Sequence, residues 1–295
     1  MNKPLIIAVV VTYNRKELLY ECLQALHRQD AGMYTLEILV VDNASTDGTG
    51  DMLKTCFSDV HVLSMTKNIG GAGGFCAGMK EAVAMGCDRV WIMDDDTIPS
   101  DSALSALMCE DKRLFGKRYG FLSSTVNWSD GSLCKMNIQT MDRKNRSQVK
   151  SATFVSLLIP KWTVLEAGLP IADYFIWGDD KEYTMRLSDR WPCYYVRDSI
   201  VIHKTKNNEG SNISVDSIER VDRYFFAYRN DLYTARRRGL GNVLVYLAGF
   251  GLNALRVMLY GTPGRSKRLS IMFKGFVAGI HFHPEIEFIT RGESA

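Results

Sequence analysis

Four short apolar runs limit this 295-residue chain more than any other feature. Each is closed by a polar or glycine-rich cluster, and each is followed by a stretch of helical period. Residues 5–11 are continuous and β-rich, as in a strand covered on both faces, and end at Thr12-Tyr13-Asn14. Between 15 and 29, Leu18, Leu19, Cys22, Leu23 and Leu26 recur at helical spacing. Residues 36–41 predict a second buried strand, closed by 42–47, with Asp47 placed to cap a helix reaching about Phe57. Residues 60–65 predict a third, ended by Asn68-Ile69-Gly70-Gly71-Ala72-Gly73-Gly74, with a helix from about Phe75 to Met85. Residues 89–93 predict a fourth, ended by Asp94-Asp95-Asp96, with a helix from Ser100. Such alternation predicts an α/β fold: a mostly parallel sheet flanked by helices with right-handed crossovers.

The clusters that end the strands all fall at one edge of that sheet. In an open α/β sheet, ligands bind in the crevice beyond the carboxyl ends of the strands. Three adjacent carboxylates repel one another unless something positive sits among them. A solvated acidic turn is the plain alternative for an isolated Asp triplet. Its place directly after a buried strand favours a hard divalent cation such as Mg²⁺ or Mn²⁺. The glycines Gly70, Gly71, Gly73 and Gly74 allow close backbone approach to a ligand, or form a flexible turn. Their spacing matches neither the dinucleotide fingerprint nor the phosphate loop ending in Gly-Lys-Ser/Thr. A second acidic site, Trp177-Gly178-Asp179-Asp180-Lys181-Glu182-Tyr183, opens a helix to about Asp189. One carboxylate there serves as a cap, but three exceed what capping needs. Residues 194–197 and 200–202 predict short strands, the second ending at His203, a structural histidine or a further ligand for the acidic site.

Composition excludes several classes. At 46% hydrophobic and 23% charged the chain is neither disordered nor collagen-like, and a net charge of +3 is too mild to argue for nucleic acid. No run of about 18 uncharged apolar residues stands out as a membrane span. Seven scattered cysteines without a Cys-x-x-Cys pair point to a reducing compartment and to small hydrophobes in a core. The apolar start is short and lacks a cleavage pattern, so it predicts a first strand rather than a secretory signal, and a cytoplasmic location.

Together, Val11-Thr12-Tyr13-Asn14-Arg15, Val41-Asp42-Asn43-Ala44-Ser45-Thr46-Asp47, the Asn68–Phe75 glycine segment, Asp94-Asp95-Asp96, Trp177-Gly178-Asp179-Asp180-x-Glu182 and His203 resemble glycosyltransferase family 2 over about residues 4–205. The glycine segment and the Trp-x-Asp-Asp-x-Glu segment look most like bacterial galactofuranosyltransferases, with rhamnosyltransferases as close relatives. The resemblance implies a GT-A fold and inverting, metal-dependent transfer from a UDP- or dTDP-sugar. It implies Thr12, Asn14, Arg15 and Asp42 against the nucleotide, with Asn68, Gly70, Gly71, Gly73 and Gly74 along the diphosphate or sugar. Asp94, Asp96 and His203 would hold Mn²⁺ or Mg²⁺, and Asp95 would face the sugar or ribose. Asp180 would be the catalytic base, with Asp179 and Glu182 orienting the acceptor. Galactofuranose from UDP-galactofuranose is the expected donor and a glycan or polyprenyl-linked glycan the expected acceptor, in cell-surface polysaccharide synthesis. A dTDP-rhamnose-dependent enzyme, a nucleotidyltransferase and a non-catalytic carbohydrate-binding protein are the alternatives.

Residues 1–215 therefore form the expected catalytic domain, and 216–295 a helical, basic and amphipathic region. The polar stretches 127–150 and 204–214 suggest an insertion or flap and a loop or linker near His203. From 218 to 237, Val221, Tyr224, Phe225, Tyr228 and Leu232 recur at helical spacing, and two apolar stretches follow at 240–260 and 269–281 around a basic turn at 260–268. Residues 218–295 hold 12 Lys/Arg against 6 Asp/Glu, whereas 1–217 hold 24 against 27. The basic tail suits a subdomain packed on the sheet, a homo-oligomer contact, or peripheral attachment through 240–281 to the inner face of the cell membrane. A full span at 240–260 is disfavoured by Arg256, Asn242 and Asn253.

Overall fold

The computed structural model describes residues 3–30, 32–260 and 263–290. Residues 261 and 262 of the expected basic turn, and the last five of the C-terminal region, lie outside the described residues. Strands β1 (Leu5–Thr12), β2 (Thr35–Asp42), β3 (His61–Ser64) and β4 (Arg89–Asp94) fall where the apolar runs place them. They alternate with helices α1 (Lys16–His27), α2 (Thr49–Cys56) and α3 (Gly70–Ala84). β1 pairs in parallel with β2 and β4, and β2 with β3. The register sets Thr12 against Asp42 and Val11 against Asp94, so the three polar termini share one edge.

Beyond Asp94 the sheet continues through strands that the sequence pattern revealed only in part. β5 (Thr97–Pro99) leads to α4 (Ala103–Arg113), then β6 (Leu122–Trp128), the small hairpin β7 (Thr140–Met141) and β8 (Val149–Ser151), and β9 (Leu157–Pro160). Helices α5 (Lys161–Ala167) and α6 (Asp179–Ser188) precede β10 (Tyr194–His203). The order is β3-β2-β1-β4-β9-β6-β10-β5, with β9 antiparallel to both β4 and β6. β6 went unread because Ser123, Ser124, Thr125 and Asn127 interrupt its apolar pattern. The two short strands expected at 194–202 are one strand, bulged between Val196 and Ile200 where it pairs with β6. Gly48, rather than Asp47, sits at the cap position of α2; Asp47 accepts from Thr49 N and Lys16 N and so ties two helix starts together.

Apolar layers cover both faces of the sheet. Leu19, Leu23 and Leu26 of α1 and Leu104 and Leu107 of α4 pack on one; Met79 and Val83 of α3 and Tyr183 and Leu187 of α6 pack on the other. Each fully buried large side chain contributes roughly 1.5–3 kcal/mol.

The glycine cluster is helical, not a loop. α3 begins at Gly70, and a Cβ at Gly74 would lie 2.5 Å from Val11 Cγ1, one at Gly73 2.9 Å from Ile69 Cγ1. These glycines let the helix start lie close against its neighbours. Gly70 has φ +76°, and a Cβ there would meet the Phe175 carbonyl oxygen at 2.0 Å. Gly70→Ala is therefore expected to destabilise the fold by more than about 2 kcal/mol, from left-handed strain plus displaced backbone. A thermal melt unchanged from wild type would contradict this.

Helices α7 (Tyr224–Arg237), α8 (Leu240–Tyr260) and α9 (Arg265–His281) complete the chain. α9 lies close on α7, with Gly275 and Gly279 facing the Phe225 and Arg229 carbonyls. The segment after α9 returns to the sheet domain, where Leu169 N donates to Glu287 O at 2.8 Å and Lys80 pairs with Glu287. α8 differs: Val257 is its one buried residue. By length and composition alone α8 could cross a membrane, with a mean hydropathy of 1.6, so an apolar run does stand out despite Arg256 and the asparagines.

Candidate active site

The sheet edge gathers the predicted residues. Thr12 Oγ1 at the end of β1 donates to Asp95 Oδ2 at 2.8 Å. Arg15 Nη1 donates to Asp95 Oδ1 at 3.2 Å and to Asp96 Oδ2 at 2.6 Å. Asn14, at φ +53°, uses Oδ1 to accept from Thr46 N. Asp42 Oδ1 accepts from Ser45 N, and Asn68 Oδ1 accepts from Gly70 N. Asn14, Asp42 and Asn68 thus shape the turns around the crevice. Of the four predicted glycines, Gly71 alone would leave open space around an added Cβ.

Asp94 ends β4 and His203 ends β10, and the side chains of Asp94, Asp96 and His203 bring ligand atoms within 4.8 Å of one another. Asp96 Oδ1 is buried without a hydrogen-bond partner, although His203 Nε2 lies 3.0 Å away. Two ligand atoms that share a cation can approach this closely, as can a protonated imidazole and its carboxylate. His203 Nδ1 lies 2.8 Å from Asn137 Oδ1, which fixes the ring and leaves Nε2 toward Asp96. Such a partner for the second ring nitrogen is the usual support of a metal-ligating histidine. Carboxylate oxygens with one imidazole suit Mn²⁺ or Mg²⁺. The residues present therefore fit a divalent cation.

The charges at this edge shift one another. Burial, then the Asp96 charge, pushes Asp94 up to about 6. Burial pushes Asp95 up to about 7 against the pull of Arg15. For Asp96 the burial effect is outweighed by His203 and Arg15, which hold it below the usual carboxylate range. Burial alone would lower His203, but contact with Asp96 and the nearby charges push it up to about 10. A histidine must be neutral to ligate, so cation binding here would release its proton.

Asp179 and Asp180 open α6 near the same edge: the Asp180 charge raises Asp94, and the Asp94 charge raises Asp179. Burial, then the Asp180 charge, pushes Asp179 far above its usual value; burial pushes Asp180 up to about 6, opposed by the Lys181 N–H at 2.6 Å. Glu182 does not fit the acceptor-orienting part expected of it. Both its oxygens accept from Arg186 at 3.0–3.3 Å, and Arg186 also donates to Ala167 O and Leu169 O. That buried pair ties α6 to the end of α5.

The segment leading into Asp179 is strained. Phe175 has φ +63°, Trp177 φ +66° and Gly178 φ +85°, and the first two carry side chains that disfavour this region. Asn230 of α7, fully buried, holds it: Nδ2 lies 3.0, 3.2 and 2.8 Å from the carbonyl oxygens of Tyr174, Ile176 and Trp177. Arg229 adds a bond to Asp173 O at 2.5 Å and donates to Asn230 Oδ1 at 2.9 Å. Neither Asn137 nor Asn230 was predicted, and no sequence signal distinguishes them from other asparagines. Removing the Asn137 contact, as in Asn137→Ala, is expected to weaken divalent-cation affinity by roughly 10–100-fold, measured by Mn²⁺ titration. Unchanged affinity would show that Asn137 does not orient a ligand.

Residues 7–156 match the model of Glycosyl transferase family 2. The chain is 39% identical over 262 residues to galactofuranosyltransferase GlfT1 of Mycolicibacterium smegmatis, covering 80% of this chain and 85% of the relative. The chain belongs to glycosyltransferase family 2. Galactofuranosyltransferase GlfT1 of Mycobacterium tuberculosis is 28% identical over 266 residues, covering 81% and 84% of the two chains. Among solved structures, the mannosyltransferase PcManGT of Pyrobaculum calidifontis, in complex with GDP-Man and Mn²⁺, superposes with TM-score 0.59 at 14% identity, covering 95% and 88%. The expected GT-A fold is thus borne out, and this family member is a nucleotide-sugar glycosyltransferase that resembles galactofuranosyltransferases.

Proposed function

We propose that this enzyme transfers galactofuranose from UDP-galactofuranose, with inversion, to a hydroxyl of a glycan or polyprenyl-linked glycan in cell-surface polysaccharide synthesis. The observation that carries the reading is the meeting of Asp94, Asp96 and His203 with Asp180 at one sheet edge. The 39% identity to a galactofuranosyltransferase supports the sugar. Thr12, Asn14, Arg15, Asp42, Asn68 and Asp95 line the donor side, and Gly71 leaves room for its diphosphate. A divalent cation, Mn²⁺ or Mg²⁺, held by Asp94, Asp96 and His203 would offset charge on the leaving diphosphate. Asp180 removes the acceptor proton as the hydroxyl attacks from the face opposite the leaving group. Asp179, kept protonated by burial, hydrogen-bonds the acceptor. Residues 1–215 carry this chemistry. Residues 216–295 brace the base loop and meet the cytoplasmic face of the membrane through α8 and α9, where Leu244, Val245, Leu259 and Phe273 are exposed.

The test is a donor screen with Mn²⁺. UDP-galactofuranose should be consumed at least about tenfold faster than UDP-galactose, UDP-glucose or dTDP-rhamnose, since a site built on sugar hydroxyls rejects analogues that leave its groups unpaired. Preference for dTDP-rhamnose would replace the galactofuranose reading.

A further inference from the structure

A polar cavity of about 460 Å³ lies between α7, α8 and residues 211–213, with Trp177 in its wall. It adjoins the candidate base, because Asp231 in its lining pairs with Lys181, the residue after Asp180, at 3.3 Å. Asn212, Asp231 and Asn253 supply hydrogen-bonding groups beside the Trp177 ring, the combination that holds a sugar. Arg256 also lines the cavity and forms no hydrogen bond or ion pair among the described residues. Its neighbours along α8 are apolar and exposed: Leu252 at 49%, Leu255 at 46%, Met258 at 52% and Leu259 at 57%. An unpaired arginine on such a surface calls for an anion, and its planar fork matches phosphate oxygens. Residues 239–283 contain five Lys/Arg and no Asp or Glu, so nothing within that stretch neutralises it.

A ligand that answers all three surfaces is amphiphilic, with a sugar, a phosphate and a hydrocarbon chain in that order. We propose that this cavity is the acceptor's phosphate-linked end site: a sugar beside Trp177 and Asp231, a phosphate or diphosphate on Arg256, and a prenyl-type chain along the exposed face of α8. The assignment rests on the proposed transfer to a lipid-linked acceptor. It places the reacting sugar toward Asp180 and the lipid toward the membrane, so the acceptor enters from the α8 side.

Farnesyl diphosphate is a suitable probe, titrated calorimetrically in neutral detergent with Mn²⁺ and saturating UDP to fill the donor site. Arg256→Gln should bind it at least about tenfold more weakly than wild type, Arg256→Lys should lie between, and farnesol should bind all three alike. Arg256 is exposed and unpaired, so melting curves of the variants should match wild type. Equal binding of farnesyl diphosphate by wild type and Arg256→Gln, or no binding by wild type, overturns the assignment. Phosphatidylglycerol in the micelles separates the two sources of phosphate. Displacement of the probe at equal concentration would make this a membrane-headgroup site and overturn the acceptor assignment; retention of the probe supports it. UDP affinity is measured separately. Failure to bind UDP would sink the nucleotide-sugar reading while leaving the Arg256 comparison intact.

Discussion

Asp180→Asn is expected to keep donor binding and to lose about 10²–10⁴-fold in kcat, the usual contribution of a positioned general base. Asparagine preserves the shape at the start of α6 but cannot take a proton. The Lys181 N–H that now meets Asp180 Oδ1 can still meet the amide oxygen, so the fold should survive. UDP affinity and the melting temperature serve as controls, and turnover at the wild-type rate would remove Asp180 from the mechanism. The pH profile supplies a second reading. Burial raises Asp180 to about 6, so below that pH the group is protonated and cannot accept. Wild-type kcat/KM should therefore rise with pH through about 6, and Asp180→Asn should flatten that limb.

Asn230→Ala is expected to lower kcat by roughly 10²-fold, although Asn230 touches no reacting atom. The variant removes the Nδ2 contacts to the Tyr174, Ile176 and Trp177 carbonyls. Each carbonyl left unsatisfied in a buried place costs about 1–3 kcal/mol. The segment it frees holds two side-chain-bearing residues at positive φ, so it should relax toward ordinary conformations and carry Asp179 and Asp180 with it. A positioning role predicts a kcat effect with little change in the Kd for UDP. A merely structural role would show as a lower melting temperature with normal kcat in the fraction that stays folded.

The first half of the fold was legible because its signals are local. A buried parallel strand needs an uninterrupted apolar run, and its end needs polar or flexible residues, so β1 to β4 and their termini could be read one segment at a time. The later strands were less legible. β6 carries Ser123 and Ser124 inward, where they are satisfied by Tyr194 O, Ser156 and Ser199, and such polar burial hides a strand from hydrophobic pattern. The glycine segment was readable as glycine-rich but not as helix, since low helix propensity argues for a loop until the neighbours are known. Val11 and the Phe175 carbonyl supply the reason for glycine there.

The sequence by itself determined the chemistry available: a triple aspartate after a buried strand, a second acidic segment at a helix start, a histidine after a strand, and a basic apolar tail. Each follows from residue type and local period. Only the tertiary structure decided which of these groups meet. It brought Asp96 and His203 to 3.0 Å with Asp96 Oδ1 unpaired, turned Glu182 to Arg186, and set Asn230 under the strained approach to Asp180. Contacts between residues far apart in sequence leave no periodic trace along the chain. They are settled when the sheet order and helix packing choose which side chains share a space.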